Sequence, residues 1–201
     1  MKIAIMGAGN VGGGLGAGLA AAGHGVTYGV RDPDSEKTRA ALAATPGGRA
    51  ASPVEAVHDA DALIFALRWD AVADTVGQLP SLAGTVVIDA MNRLFGGDPA
   101  RSTAEDLADM LPGTRVVKAF NTIGFENFTT GAARQHKVSM FICGDDEDAK
   151  RVAAGLATDL GFEPEDVGPL SNANALEGMV KVWLALAARH GRSIGFALTP
   201  G

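Results

Sequence analysis

The chain reads as an α/β protein: a Rossmann-like, doubly wound, mostly parallel sheet with a small helical portion at its C-terminus. Three observations predict this fold. Lys2–Met6 (KIAIM) is a short apolar run that ends in Gly7-Ala8-Gly9-Asn10-Val11-Gly12, and an Ala/Leu/Gly-rich helical stretch follows to Gly23. Further apolar runs recur at 26–30 (VTYGV), 61–67 (DALIFAL), 84–89 (GTVVID), 115–120 (RVVKAF) and 138–143 (VSMFIC), with helical stretches between them. Nearly continuous apolar runs separated by helices are the pattern of strands buried on both faces. Residues 173–190 then carry the longest helical pattern of the chain.

The first turn has the spacing GxGxxG, and each glycine has a physical task. Gly7 turns the chain off the strand. Gly9 has no Cβ, so a pyrophosphate can approach the backbone, and Gly12 allows close packing of the helix. The helix N-terminus adds free N–H groups and a partial positive charge. Gly7, Gly9, Asn10, Val11 and Gly12 therefore form the candidate phosphate cradle. The motif alone, in a chain with 27 glycines, could be an ordinary βα turn. Its place between a strand and a helix favours a nucleotide.

Composition narrows the partners. At 201 residues the chain is one large domain, or one with a small addition; it is 47% apolar but only 5% aromatic, so its core is mostly Ala, Val and Leu. The formal charge of -6 argues against broad binding to nucleic acid or to an anionic membrane. No apolar run approaches the roughly 18 residues of a membrane span. Together with the absence of a signal-peptide pattern, this leads us to expect a cytoplasmic protein. The single cysteine, Cys143, excludes an intramolecular disulfide and a thiolate metal cluster.

After 26–30 comes Arg31-Asp32-Pro33-Asp34-Ser35-Glu36-Lys37, where such folds select their cofactor. An acid here binds the ribose 2′-hydroxyl of NAD, and an arginine accommodates the 2′-phosphate of NADP. Arg31, with Lys37 as a second cation, points to NADP. Asp32 is the competing reading, although it or Ser35 can instead cap the next helix. Ser52-Pro53-Val54-Glu55 is a helix start with a capping box.

The ends of the later strands face the expected ligand crevice. Leu67 and Trp69 follow the run 61–67, and Trp69 either shapes the pocket or packs beneath the next helix. Asn92 follows 84–89, and Asn121-Thr122-Ile123 follows 115–120. The two amides are pocket groups or turn residues bonding their own backbone. Neither strand end carries an obvious proton-transfer group, which suits hydride transfer between two stacked cofactors. The acids of Gly144-Asp145-Asp146-Glu147-Asp148 suit a helix N-terminus rather than a metal, for they lack the alternation of a cation loop. We expect no metal site, and the four histidines are scattered. Residues 102–111 suggest a helix preceded by a loop at Pro99. The apolar stripe Leu176, Met179, Val180, Trp183, Leu184 and Ala187 must be buried, on the nucleotide domain or in a homodimer.

The segments GAGNVGGGL, AAGHGVTYGVRDP, VIDAMN, VVKAFNTI, FICGDDEDAK and GPLSNANALEGMVKVW resemble the NADP-dependent reductases of the deazaflavin coenzyme F-420 over nearly the whole chain. The same fold forms the cytosolic NADPH module of some membrane metalloreductases. The resemblance implies NADPH at the glycine turn, its 2′-phosphate near Arg31 and Lys37. It also implies a pocket of Leu67, Trp69, Asn92, Asn121, Thr122, Ile123 and the tail to Leu198 around the second substrate. That substrate would be the deazaflavin or, alternatively, FMN or FAD. No catalytic side chain is implied, because stacking aligns the reactants. The chain departs from the family pattern at Val30, Arg68, Arg93 and Asn121. Arg68 and Arg93 could be contacts to an anionic coenzyme tail.

We therefore expect an NADP-binding domain over 1–168 and a helical portion over 169–201 that closes the cleft. The expected activity is hydride transfer between NADP(H) and a deazaflavin or flavin. A reductase of a small organic substrate and a non-catalytic dinucleotide sensor are the alternatives.

Overall fold

A computed structural model describes residues 1–201 apart from 95–97, 99, 131, 200 and 201. The loop expected at Pro99 falls outside the described residues. In chain order the elements are β1 (Lys2–Met6), α1 (Asn10–Ala21), β2 (Gly25–Gly29), α2 (Glu36–Ala44), β3 (Arg49–Ala51), α3 (Pro53–Val57), β4 (Ala62–Phe65) and α4 (Val72–Val76). They continue with β5 (Val86–Asp89), α5 (Thr103–Met110), β6 (Arg115–Lys118), α6 (Ala132–Gln135), β7 (Ser139–Gly144), α7 (Glu147–Asp159), β8 (Glu163–Asp166) and α8 (Ala173–His190).

One eight-stranded sheet has the order β3-β2-β1-β4-β5-β6-β7-β8. This is the doubly wound arrangement, with the order reversing at β1 beside β4, where a crevice opens. All pairs are parallel except β6 with β7. The reversal at β7 follows from the connection between the strands. Among the described residues of 119–138 the helical pieces are a 3₁₀ turn, Phe125–Phe128, and the four-residue α6, neither of which the sequence pattern signals. They do not carry the chain back along the sheet as a crossover helix would. The outer strand β8 reads EPED; its acids and Pro164 protect an exposed sheet edge from further pairing.

Two apolar layers flank the sheet. Ile3, Ile5, Ile64 and Ile88 face α1 and α7, whereas Met6, Leu63, Phe65 and Val87 face α3, α4, α5 and α8. Each fully buried Leu, Ile or Phe contributes roughly 1.5–3 kcal/mol. Local signals start the helices where they were expected. Ser52 with Glu55, and Ser102 with Glu105, form complete capping boxes, and Ser35 and Asp146 cap α2 and α7.

The expected stripe on α8 is only partly covered. Leu176, Val180 and Trp183 are buried, but Leu184 is 40% exposed. It lies about 80° round the helix from Leu176, beyond the face that meets α5 and β7. Val182 and Leu186 are exposed as well. Among the described residues no helix is long and apolar enough to cross a membrane.

Candidate functional site

The main cleft, about 850 Å³, lies at the carboxyl ends of β1, β2 and β4. Its floor is the glycine turn. Gly7 has φ +102°, and a Cβ there would stand 2.8 Å from the Ala66 carbonyl oxygen. Only glycine takes that conformation without strain. A Cβ on Gly12 would stand 2.0 Å from the Gly7 carbonyl oxygen, so α1 rests on the turn itself rather than on the strand behind it. Gly9, by contrast, faces open space, with nothing within 4 Å of an added Cβ. As N-cap of α1 it brings no side chain of its own to the first N–H groups. These groups remain available to an anion.

Val30, Arg31, Lys37 and Leu67 line the same cleft. Arg31 and Lys37 are exposed, and among the described residues neither holds a carboxylate partner. Asp32 is occupied in a local turn. Its Oδ1 accepts from the Asp34 N–H at 2.9 Å, and its carbonyl accepts from Thr38 Oγ1 at 3.0 Å. A glycine-rich cradle, open space at Gly9, and two cations where β2 ends fit a dinucleotide that carries a 2′-phosphate.

The remaining pocket residues do not share this cleft. Asn92 and Asn121 meet each other at the ends of β5 and β6. Asn121 Nδ2 donates to Asn92 Oδ1 at 2.9 Å and to the Leu176 carbonyl at 3.0 Å, while Asn92 Nδ2 donates to the Asn121 carbonyl at 3.1 Å. The backbone carbonyls fix both amide orientations. Asn121 Oδ1 is buried without a partner. Thr122 is buried beside it. Ile123 instead lines a separate cavity of about 240 Å³ with Val138, Ile194 and Gly195. The tail is held there, since Ser139 N–H donates to the Phe196 carbonyl and Leu198 N–H donates to Ser139 Oγ, yet the Leu198 side chain is 62% exposed.

Trp69 opens a 3₁₀ turn, Trp69–Ala71, with its ring half-buried under the Arg93 guanidinium, 4.3 Å from the centroid. Arg93 donates to Asp106, which also accepts from Arg101 Nε. Burial pushes the Asp106 carboxyl up, but the two guanidiniums outweigh it and hold the group below its ordinary value. Because Arg93 is buried and paired in this way, it is not free to reach an anionic tail as the sequence had suggested. Arg68 is exposed and pairs with Asp70 at 2.5 Å.

Beneath the amides lies a cluster that sequence reasoning had not assembled. Lys118 is fully buried. Its Nζ donates to Asp89 Oδ2 (2.9 Å), Glu177 Oε1 (2.8 Å), Thr103 Oγ1 (2.8 Å) and the Met91 carbonyl (2.7 Å). The signal was a lysine and an aspartate inside buried apolar runs, where charges persist only when paired. Burial pushes Glu177 up, yet the Lys118 charge and hydrogen bonds from Lys118, Thr103 N–H and Arg93 N–H hold it below its ordinary value. Cys143 is also fully buried, which pushes its thiol up to about 12, so it is an apolar filler rather than a nucleophile. Among the described residues no group of His, Cys, Asp or Glu could hold a metal ion.

The chain is similar to several known proteins. The family model of NADP oxidoreductase, coenzyme F420-dependent, matches residues 2–93. The F420-dependent NADP reductase of Methanothermobacter marburgensis is 30% identical over 99% of this chain and 98% of its own length. Metalloreductase STEAP3 of Rattus norvegicus is 30% identical over 89% of this chain, which spans only 36% of that longer protein. The crystal structure of a protein from Arthrobacter sp. FB24 superposes over the full length of both chains with a TM-score of 0.84 at 26% identity. On its match to a full-length relative, the chain belongs to the family of coenzyme F420-dependent NADP oxidoreductases.

Proposed function

We propose that the chain is an NADP-dependent oxidoreductase that passes a hydride between NADP(H) and a deazaflavin coenzyme of the F420 type, or a flavin. The observation that carries this reading is the cleft itself, a glycine-rich cradle with Arg31 and Lys37 at the end of β2. The names of the full-length relatives agree with it. When bound, the nicotinamide cofactor supplies the hydride chemistry. The chain's own residues bind and orient. N–H groups at the start of α1 take the pyrophosphate, with Asn10 and Val11 beside Gly9. Arg31 and Lys37 take the 2′-phosphate. Leu67 offers an apolar wall, and Asn92, Asn121 and Thr122 fix the far end of the site. Ile123 and the tail to Leu198 border the second substrate, with Trp69 held in place by Arg93. No side chain needs to move a proton, and alignment of the two reactants does most of the work.

Residues 169–201 form the portion that closes the site against the domain of 1–168. The exposed apolar side chains Val182, Leu184 and Leu186 on α8 suit a homodimer contact. The working compartment is the cytoplasm.

The test is an acceptor screen. Purified protein should oxidise NADPH with the deazaflavin coenzyme, FMN or FAD and leave small imines untouched. Turnover with imines alone would make it a reductase of small organic substrates. Tight NADPH binding without turnover on any acceptor would make it a sensor.

A further inference from the structure

We propose that Lys118 is a positioning residue that sets the second-substrate end of the site through Asn92 and Asn121, separately from the cofactor cleft. This inference rests on the hydride-transfer reading above. It begins with register. Met6, Phe65, Asp89 and Lys118 are aligned across β1, β4, β5 and β6. This row is the last before the strands give way to the site, and its two right-hand members are charged and wholly buried. A buried ammonium with four acceptors is directional in a way that an apolar contact is not. Here the acceptors come from four separate segments: the end of β5 (Asp89), the loop after it (Met91), the start of α5 (Thr103) and α8 (Glu177).

The loop after β5 and α8 are in turn tied to the amide pair. Asn92 follows Met91 directly. Asn121 lies three residues beyond Lys118 and donates to the carbonyl of Leu176, the residue before Glu177. Glu177 Oε2 also accepts the N–H of Arg93, the residue after Asn92. The loop carrying Asn92 is thus held on both sides, through Met91 and Arg93. Asn121 is held between β6 and α8. No member of the cluster lines the main cleft, where the glycine turn and Arg31 lie. The adenine and phosphate end can therefore bind normally while the other end is misplaced.

The experiment compares wild type, Lys118→Met and Glu177→Gln, each as the full chain. NADPH is titrated to obtain Kd, the fluorescence of bound dihydronicotinamide is recorded, and hydride transfer is measured with the acceptor found in the screen. For Lys118→Met the expected result is a Kd within about threefold of wild type. The emission of bound NADPH should move toward that of free NADPH, and kcat should fall at least tenfold. Glu177→Gln keeps one of the two acceptor oxygens, enough for Thr103 and Lys118 but not also for the Arg93 N–H, so it should move the same way by less. Native emission and rate in both folded variants would overturn the proposal. So would a loss of NADPH affinity in step with the loss of rate, because that marks a general structural role. If Lys118→Met does not fold, Glu177→Gln decides on the same criteria. If wild type turns over no acceptor, the hydride-transfer reading fails, while the emission comparison still decides the role of Lys118.

Discussion

Among the described residues Arg31 has no carboxylate partner, and it lines the same cleft as the glycine turn. Its charge is therefore available in full to a ligand. A charge-assisted hydrogen bond to phosphate is worth about 1.5–3 kcal/mol. Arg31→Ala should therefore raise the Kd for NADPH by roughly ten- to a hundredfold and leave NADH within about threefold, as read by parallel titrations. Equal losses for both nucleotides would mean that Arg31 does not distinguish the 2′-phosphate. At this scale the cofactor end of the site was legible from sequence, because glycine spacing and a cation after β2 are local features. Asp32 was legible as a competitor, and only the structure shows one of its carboxylate oxygens taken up by the Asp34 N–H. The pairing of Arg93 was hidden, since the partner that removes it from solvent, Asp106, is 13 residues away on α5.

At the scale of elements, α1 shows how one motif serves two masters. Gly9 and Gly12 stand three residues apart, yet one meets open space and the other the backbone of its own turn. Gly12→Ala forces the first turn of α1 off Gly7, and overpacking of this kind costs typically 1–3 kcal/mol. Gly9→Ala changes only the N-cap, a matter of about 1 kcal/mol or less, but it puts a methyl group where phosphate oxygens approach. Urea denaturation should show a clear fall in midpoint for Gly12→Ala and little change for Gly9→Ala. NADPH titration should show Gly9→Ala weakened at least tenfold. Equal destabilisation of the two variants would remove the distinction between a binding glycine and a packing glycine. Helix starts at Ser35, Ser52, Ser102 and Asp146 were readable because a cap is written within four residues. The segment from Phe125 to Gln135 was not, because short 3₁₀ and α turns carry too few residues for a period to show.

Across the whole molecule, the parallel part of the sheet was readable from its apolar runs, but the antiparallel β7 was not, since direction depends on the connection rather than on the strand. The Lys118 cluster was equally hidden, for Asp89, Thr103, Lys118 and Glu177 meet only in three dimensions. That cluster gives the molecule a pH dependence with a definite sign. Glu177 is held in the folded chain below its ordinary value of 4.5. A group depressed in this way contributes stability that is fully present above its unfolded value and is lost as pH falls through its folded value. Asp106, held below 3.8 by Arg93 and Arg101, acts in the same direction at somewhat lower pH. Wild type should thus keep constant stability from neutrality to about pH 5 and lose it progressively below the middle fours. Glu177→Gln removes the first of these titrations. Breaking a buried pair costs about 3–5 kcal/mol, and because glutamine keeps one of the two acceptor oxygens the loss at pH 7 should lie near the lower figure. The gap between variant and wild type should then close as pH falls through the depressed value of Glu177, below which its side chain is neutral like that of glutamine. Urea midpoints taken across this range decide the matter. Parallel curves for the two proteins would mean that Glu177 titrates alike in the folded and unfolded chains, and that Lys118 is balanced by Asp89 alone.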